Sequence, residues 1–349
     1  MTTPSPLPVT ILTGFLGSGK TTLINHLLEQ YPDERIAIIE NEFGAVGVDG
    51  GLLGKHSAIE VIELTNGCVC CSVRGELTEA LHDLLNRRDT GALRFDRLLL
   101  ETTGLADPAP IIQTFFVDEI LRQRLQLDAV VTLVDAEHAQ KQLTEHRVAV
   151  SQVGFADRLI LTKLDRIDTQ TKALLLDRLR KINARAIMCE ADHGLIDKSA
   201  WINIQAFNLD DSFNVDPAFT LSPKAHYNSV AFRPITPSPT LLNRSWNDDI
   251  TSHVFEAGDV DIKLIGAFME TAIEKYGNDM LRYKGILAIN DEPRRLIVQG
   301  VHRVVGFDYG AAWSTNETRQ TLLVIIGRNL PIDILRNDFL ATAKTTVGG

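Results

Sequence analysis

The sequence predicts an α/β fold, a mostly parallel sheet with helices on both faces, followed by a smaller α+β domain. Three observations predict it. From residue 9 to residue 188, apolar β-prone runs alternate with helical patterns, the rhythm of parallel strands joined by crossover helices. Every candidate ligand-binding stretch in that region follows the end of such a run, where ligands bind in open parallel sheets. Beyond a polar stretch the rhythm changes to one amphipathic helix and a series of short strands. At 349 residues the chain exceeds what one typical core organises. Two domains are expected, 1–206 and 225–349, with 207–224 as the linker.

Composition narrows the function classes. With 44% hydrophobic and 23% charged residues, the chain reads as an ordinary globular protein. A formal charge of −10 opposes a general nucleic-acid or anionic-membrane surface, yet permits a locally bound phosphate. No apolar run has the length needed to span a bilayer. Residues 1–8 have neither a basic n-region nor an apolar h-region, so no secretion signal is read. Three of the four cysteines fall within 68–71, which is no disulfide framework. A reducing, cytoplasmic location is expected.

The first strand, residues 9–13, runs into Gly14-Phe15-Leu16-Gly17-Ser18-Gly19-Lys20-Thr21, which fits G-x-x-x-x-G-K-[ST] at every fixed position. A helical pattern follows, with Leu23, Ile24, Leu27 and Leu28 on one face. Glycines let backbone N–H groups converge on an anion, and the helix N-terminus adds partial positive charge. Lys20 would neutralise the β/γ-phosphates, and the Thr21 hydroxyl would ligate Mg²⁺. The reading is a P-loop NTPase that binds a nucleoside triphosphate.

A buried strand at 35–40 leads into a Gly-rich acidic loop at 40–51, which carries Glu40 and Glu42. Its position at a strand end favours a switch loop, ordered by a metal or the γ-phosphate, over a plain solvated loop. A strand at 58–64 then delivers Cys68-Val69-Cys70-Cys71. Residues two apart in an extended segment point the same way, so Cys68 and Cys70 can reach one ion. Cys71 lies near a helix start and three residues before Arg74, both of which favour thiolate. Zn²⁺ or another borderline-soft ion such as Co²⁺ or Ni²⁺ suits three sulfurs with a position left open. A redox pair and buried inert thiols are the competing readings.

Residues 97–100 form a short strand that ends in Glu101-Thr102-Thr103-Gly104. A carboxylate there, three residues before a glycine, fits the Mg²⁺ and γ-phosphate sensor of a P-loop GTPase, with Glu101 in place of the usual Asp. Gly104 can offer an unobstructed N–H to the γ-phosphate. Another strand, 128–134, precedes Asp135, which reads as a helix N-cap. The strand at 158–161 ends in Thr162-Lys163-Leu164-Asp165. Asp165 would accept from guanine N1–H and its exocyclic amine, where adenine leaves a carboxylate unpaired. The Lys163 stem can lie over the base, and Thr162 stands where GTPases commonly carry Asn. Asn183-Ala184-Arg185-Ala186 is expected at a second base-contacting loop, and Cys189 reads as a core thiol.

The second domain should comprise a strand at 225–233, a loop at 235–249 and an amphipathic helix at 261–276. Strands at 285–289, 295–301, 304–309 and 321–327 follow, with Asn290-Asp291-Glu292-Pro293 as a turn, and a helix starts at Pro331. His226, His253 and His302 are scattered and read as structural.

Together the motifs resemble one family, the CobW-type metal-handling GTPases. The matching stretches are TGFLGSGKTT, IENEFG, LTNGCVCC, ETTGLADPAPIIQTFF, SQVGFADRLILTK, INARA, MLRYKG and QGVHR, which span both expected domains. The resemblance implies a GTPase of the SIMIBI class with Zn²⁺ or a related transition ion at the cysteine motif, and metal delivery to a client protein. Carried over by motif, Gly17, Ser18, Gly19, Lys20, Thr21 and Thr22 serve phosphate and Mg²⁺. Lys163 and Asp165 serve guanine, Cys68, Cys70 and Cys71 the metal, and Glu40 and Glu42 the switch loop. Many relatives carry a His-rich tract near the domain junction. This chain lacks one, which favours stoichiometric handover over bulk storage.

The expected partners are therefore GTP and GDP and a metal-requiring client, with a homodimer compatible and neither nucleic acid nor membrane involved. Catalysis would rest on Lys20, on Mg²⁺ held by Thr21 and on backbone N–H groups. No Gln or Arg stands out to position water, so slow turnover is expected. Two rivals remain. A small-molecule kinase would prefer ATP, and a non-catalytic metal or redox sensor would bind nucleotide without zinc-dependent turnover.

Overall fold

The computed structural model describes residues 6–41, 60–63, 73–207, 250–315 and 317–343. Its first layer system is built around β1 (Leu7–Gly14), whose side chains are nearly all buried. Its neighbours are β4 (Arg97–Thr102) and β5 (Leu125–Asp135), with Ile11 in register with Leu100 on one side and Val130 on the other. Outside them lie β2 (Ile36–Asn41) and β3 (Glu60–Glu63) on one flank, β6 (Arg158–Thr162) and β7 (Ile187–Glu190) on the other. The order is β3-β2-β4-β1-β5-β6-β7, and every pairing is parallel. Strands covered on both faces need no polar alternation, which is why Leu98, Leu99 and Leu100 are all buried.

Period-two geometry sorts those residues between two cores. On one face, Leu12, Ile36, Ile38, Leu99 and Val131 pack with α1 (Lys20–Gln30) and Trp201. On the other, Val9, Ile11, Ala37, Ile39, Leu98 and Leu100 pack with α2 (Val73–Asp89) and α3 (Ala109–Val117). The chain continues through α4 (Glu119–Arg124), α5 (Ala139–Glu145), α6 (Arg147–Phe155) and α7 (Thr169–Ile182). The consequence for the site is positional. The loops after β1, β4, β5, β6 and β7 all emerge at one edge of the sheet.

The second sheet is antiparallel throughout, in the order β11-β10-β9-β12-β8. Its strands are β8 (Ile250–Ala257), β9 (Met280–Ala288), β10 (Arg294–Val301), β11 (Val304–Ala312) and β12 (Thr321–Arg328). It packs on α8 (Ile262–Tyr276) and α9 (Ile332–Leu340), where Phe339 contacts Phe255 and Phe268 edge-on at 5.6 and 5.7 Å. Asp261 starts α8 by accepting from the N–H groups of Lys263 and Leu264. The helix expected at 261–276, the four strands expected between 285 and 327 and the helix after Pro331 are present, the strands longer than read by one to four residues. One strand is additional, β8, which pairs with β12 from Ile250 opposite Arg328 to Ala257 opposite Thr321. The strand expected at 225–233, the loop at 235–249 and the linker from 208 onward lie outside the described residues.

The two sheets meet across α6. Gly154 lies against Leu281, Ile326 and Ile250, and the Phe155 carbonyl accepts from Arg282 at 2.5 Å. Arg282 also forms a buried ion pair with Asp157 at 2.5 Å and covers the Phe207 ring at 4.6 Å. Lys284 Nζ donates to the Ala206 carbonyl at 2.7 Å, and Gln299 Nε2 to that of Phe207 at 3.3 Å. The segment that leaves the first sheet is thus gripped by side chains of β9 and β10. Burial, reinforced by Arg185 and Arg282 and opposed by Asp157, pulls the Lys284 ammonium down to about 7.

That shift has a definite sign. Between about 7 and the ordinary lysine value of 10.5, the unfolded chain holds the proton that the folded chain has released. The unfolded state binds more protons in that window, so this group's contribution to stability rises with pH across it. Raising the pH from 7 to 9 should therefore raise the melting temperature of the protein relative to that of Lys284→Met. A pH-independent difference between the two would show that Lys284 keeps its proton when folded.

Candidate functional site

β1 ends at Gly14, whose φ is +142°, and a Cβ there would sit 2.5 Å from the Leu133 carbonyl oxygen. Gly17 and Gly19 are left-handed, with φ of +75° and +100°. The Gly19 carbonyl accepts from Leu23 N–H at 3.0 Å and opens α1. The first-turn N–H groups of α1, from Lys20 through Thr22, are therefore left without intrahelical acceptors at a loop free of side-chain obstruction. Lys20 is buried, and its Nζ donates to the Gly14 carbonyl at 2.9 Å across the mouth of that loop. Burial holds the Lys20 ammonium below its usual range, while Glu101 pulls it back up. Ser18 Oγ is buried with no hydrogen-bond partner among the described residues. Free amides, an orphaned hydroxyl and a desolvated ammonium make a cradle suited to phosphate. Thr21 is half-buried beside it and Thr22 is exposed.

The segment after β4 lies against this cradle. Glu101 is in register with Leu12 on β1 and with Glu40 at the end of β2. Thr102 Oγ1 donates to Thr13 Oγ1 at 2.9 Å. Gly104 touches the loop itself, because a Cβ there would fall 2.6 Å from Leu16 N. From behind, Gln152 on α6 donates to the carbonyls of Gly104 at 3.2 Å and Ala106 at 3.1 Å. Ser151 bonds Asp107, which in turn accepts from Ala109 N–H at the head of α3. Sequence reasoning gave Gln152 and Ser151 no role. The available signal was two adjacent polar residues set among Val148, Ala149, Val150 and Val153 of one helix.

Thr162 ends β6 and answers the question raised by its place in the Thr-Lys-x-Asp motif. Its buried hydroxyl donates to the Ser18 carbonyl at 2.9 Å and so ties this motif to the phosphate loop. Lys163 is left-handed, φ +56°, and its Nζ reaches Asp135 Oδ2 at 2.7 Å. Asp165 lies half-exposed in the 3₁₀ turn Leu164–Arg166. The expectation for Asp135 needs enlarging. It does accept from the N–H groups of Glu137 and His138 in the turn before α5, but His138 is the cap, and Asp135 also holds Lys163. The ligand atoms of Asp135, Glu137 and His138 lie within 4.8 Å of one another, yet Lys163 and Arg166 already neutralise the two carboxylates.

One expected residue is placed elsewhere. Asn183 lies between α7 and β7, at the N-terminal end of that strand and so at the edge opposite the phosphate loop. It is 1% exposed. Its amide donates to the carbonyls of Val153 and Ala156, and its oxygen accepts from Arg185 and Ala186 N–H. Asn183 is a strut of the backbone there, not a base contact. The loop that follows β7 is the one at the correct edge: His193 Nε2 is 4.0 Å from Asp165, and a Cβ on Gly194 would meet Thr22 at 2.8 Å. Cys68, Cys70, Cys71 and Glu42 lie outside the described residues, and the backbone alone places Glu40. β3 runs parallel beside β2 and ends at Glu63, in register with Glu40 at the same edge.

This arrangement coincides with two family descriptions. Residues 8–190 match the CobW/HypB/UreG nucleotide-binding domain, and residues 250–343 match the cobalamin synthesis protein cobW C-terminal domain. The chain belongs to the CobW family. Within it, the sequence is 42% identical to the zinc chaperone YjiA of Escherichia coli, over 97% of this chain and 100% of that protein. It is 32% identical to the zinc chaperone CobW of Pseudomonas aeruginosa, over 95% of this chain and 90% of the relative. A crystal structure of zinc-bound YjiA GTPase superposes with a TM-score of 0.76 at 39% identity, covering 98% of this chain and 100% of that one. The expected P-loop GTPase fold with an appended α+β domain is the fold of this CobW-family chain, and the sheet of that second domain is antiparallel.

The Thr162–Ser18 bond in this CobW chain is testable by an isosteric change. Thr162→Val keeps the packing but removes a donor from a buried carbonyl, at a cost of about 1–3 kcal/mol. The melting temperature should fall by several degrees and GDP should bind more weakly. Unchanged values for both would show that the two loops are held in register by other contacts.

Proposed function

We propose that this chain is a GTP-hydrolysing zinc chaperone that loads and releases zinc under nucleotide control and hands it to a metal-requiring client. The observation that carries this reading is the convergence of the phosphate loop, the Glu101–Gly104 segment and the Thr162–Asp165 motif at one sheet edge, joined by Thr162 and Gly104. The zinc assignment draws support from relatives named zinc chaperones and from the Cys68, Cys70, Cys71 set, whose softness suits Zn²⁺ and also Co²⁺ or Ni²⁺. The metal is cargo in this scheme, and a reducing cytoplasm keeps its thiols available.

The chain's own groups divide the work. Gly14, Gly17, Ser18, Gly19 and Thr22 shape and line the phosphate cradle. Lys20 exchanges its Gly14 carbonyl for phosphate oxygen, which relieves the desolvated ammonium. Thr21 and Glu101 would hold Mg²⁺, which when bound neutralises charge on the β- and γ-phosphates. The Gly104 N–H faces the terminal phosphate. Asp165 accepts from guanine, with the Lys163 stem against the base and the 191–195 loop closing the far side. Each of these roles is electrostatic or positional, so turnover of the isolated protein should be slow.

Three measurements test the reading. GTP should be hydrolysed in preference to ATP, and Lys20→Ala should abolish hydrolysis in a protein that still folds. Asp165→Asn should exchange guanine for xanthine preference, because the donor–acceptor pattern at the 2-position inverts. Zinc affinity, titrated against a chelator, should differ between GTP-analogue and GDP forms by roughly 5–150-fold, the usual size of such coupling, with the reciprocal effect on nucleotide. Cys68, Cys70 and Cys71 replaced by Ser should erase that coupling and spare nucleotide binding. Equal zinc affinity in both nucleotide states would defeat nucleotide-gated delivery.

A further inference from the structure

Asp135 is a carboxylate that the proposed reaction does not use. It ends β5, the strand between β1 and β6, and only 2% of its side chain is exposed. A carboxylate this deep must be compensated, and its partners are specific. Oδ1 accepts from Glu137 N–H at 3.0 Å. Oδ2 takes Lys163 Nζ at 2.7 Å and His138 Nδ1 at 3.0 Å. The charge-assisted bonds from Lys163 and His138 hold the Asp135 carboxyl below the usual carboxylate range against the opposing effect of burial.

The other end of the pair matters equally. Lys163 sits in left-handed backbone, φ +56°, which costs a non-glycine residue conformational energy. The residue on its N-terminal side, Thr162, is pinned to Ser18, and the residue two beyond is Asp165. A lysine stem has four rotatable bonds and loses substantial entropy when it is laid flat on a ligand. Fixing its ammonium on a buried carboxylate removes most of that freedom before any ligand arrives. Its aliphatic stem is then presented as a ready surface, with no demand that the ammonium itself contact the ligand.

We propose that Asp135 is a positioning residue for nucleotide specificity: it anchors Lys163 Nζ, so that the Lys163 stem is preorganised as the platform for the base that Asp165 reads. The proposal rests on the base-site reading given above. It assigns Asp135 no contact with nucleotide, and it makes the Asp135–Lys163 pair one functional unit. His138 shares Oδ2 and stays on the solvent side, 54% exposed. Its loss alone leaves the Lys163 anchor in place.

Isothermal titration with GDP, GTP analogue and xanthosine diphosphate tests this in a double-mutant cycle. Asp135→Asn keeps the shape and the bond to Glu137 N–H but removes the charge, and should weaken GDP roughly 10- to 100-fold, the range for a lost charge-assisted bond. Lys163→Met keeps an apolar stem without its anchor, and should weaken GDP comparably. The double variant should be no weaker than Lys163→Met alone. His138→Ala should bind GDP as the parent does. Circular dichroism and melting curves establish that each variant folds, and a merely structural Asp135 would lower stability without such non-additivity. Additive losses, or GDP binding in Asp135→Asn equal to the parent, would overturn the proposal while Asp165→Asn still switches to xanthine nucleotide. If Asp165→Asn leaves GDP binding unchanged, the base-site reading fails and the Asp135 proposal falls with it.

Discussion

β1 can run up the middle of the sheet and turn into a helix at this point only because Gly14 has no side chain. A Cβ there would press on the backbone of Leu133 in the neighbouring strand, 2.5 Å from its oxygen and 3.0 Å from its nitrogen. Everything at the nucleotide edge depends on that close approach. It sets the height at which the phosphate loop leaves β1, and so the point where Leu16 meets Gly104 and Ser18 meets Thr162. Two glycines, Gly14 and Gly104, are therefore demanded by contact with backbone. Gly17, which a Cβ would leave in open space, is demanded by its left-handed φ. The sequence motif records both requirements without distinguishing them.

Around that pivot the protein keeps its polar groups short of solvent and bonded, Ser18 Oγ excepted. Thr13 with Thr102, Thr162 with Ser18 and Gln152 with Gly104 are all buried or nearly so, and each spans two different loops or elements. Such bonds contribute little net stability each but are costly to break, since the abandoned partner stays desolvated. They act as registration pins. A site whose ligand makes several small electrostatic contacts needs its donors placed to a few tenths of an ångström, and pins of this kind supply that placement.

The strands of the first sheet were legible because parallel strands buried on both faces are unbroken apolar runs, and the motifs at their ends were legible because glycine and charge interrupt those runs. What escaped the sequence reading escaped for physical reasons. Asn183 resembled a base contact by residue type and rough distance from Asp165, but a parallel sheet has two ends, and only the loop after β7 reaches the right one. Asp135 was legible as a helix N-cap and not as the anchor of Lys163, since that pairing joins the end of β5 to the residue after β6, 28 positions apart. β8 was missed because Ile250–Ala257 carries Thr251, Ser252, His253 and Glu256 among its apolar residues, and its pairing with β12 is a tertiary fact. The cysteine motif belongs to the part of the chain that only the sequence describes.

One helix connects the chemistry of the first sheet with the second. α6 offers Ser151 and Gln152 to the loop that carries Gly104 and Asp107. Two residues further on, Gly154 lies against Leu281 and Ile326, and Phe155 and Asp157 receive Arg282. A helix of this length moves as a body, because its backbone hydrogen bonds resist local stretching. A displacement of the Gly104 loop large enough to shift Gln152 must therefore either tear Gln152 from two carbonyls or carry α6 across the face of β9. The second route would disturb the buried Arg282–Asp157 pair, whose charges are costly to leave desolvated and unpaired. The contacts that hold the two sheets against each other thus run through the same helix that holds the Gly104 loop, and the position of one constrains the position of the other.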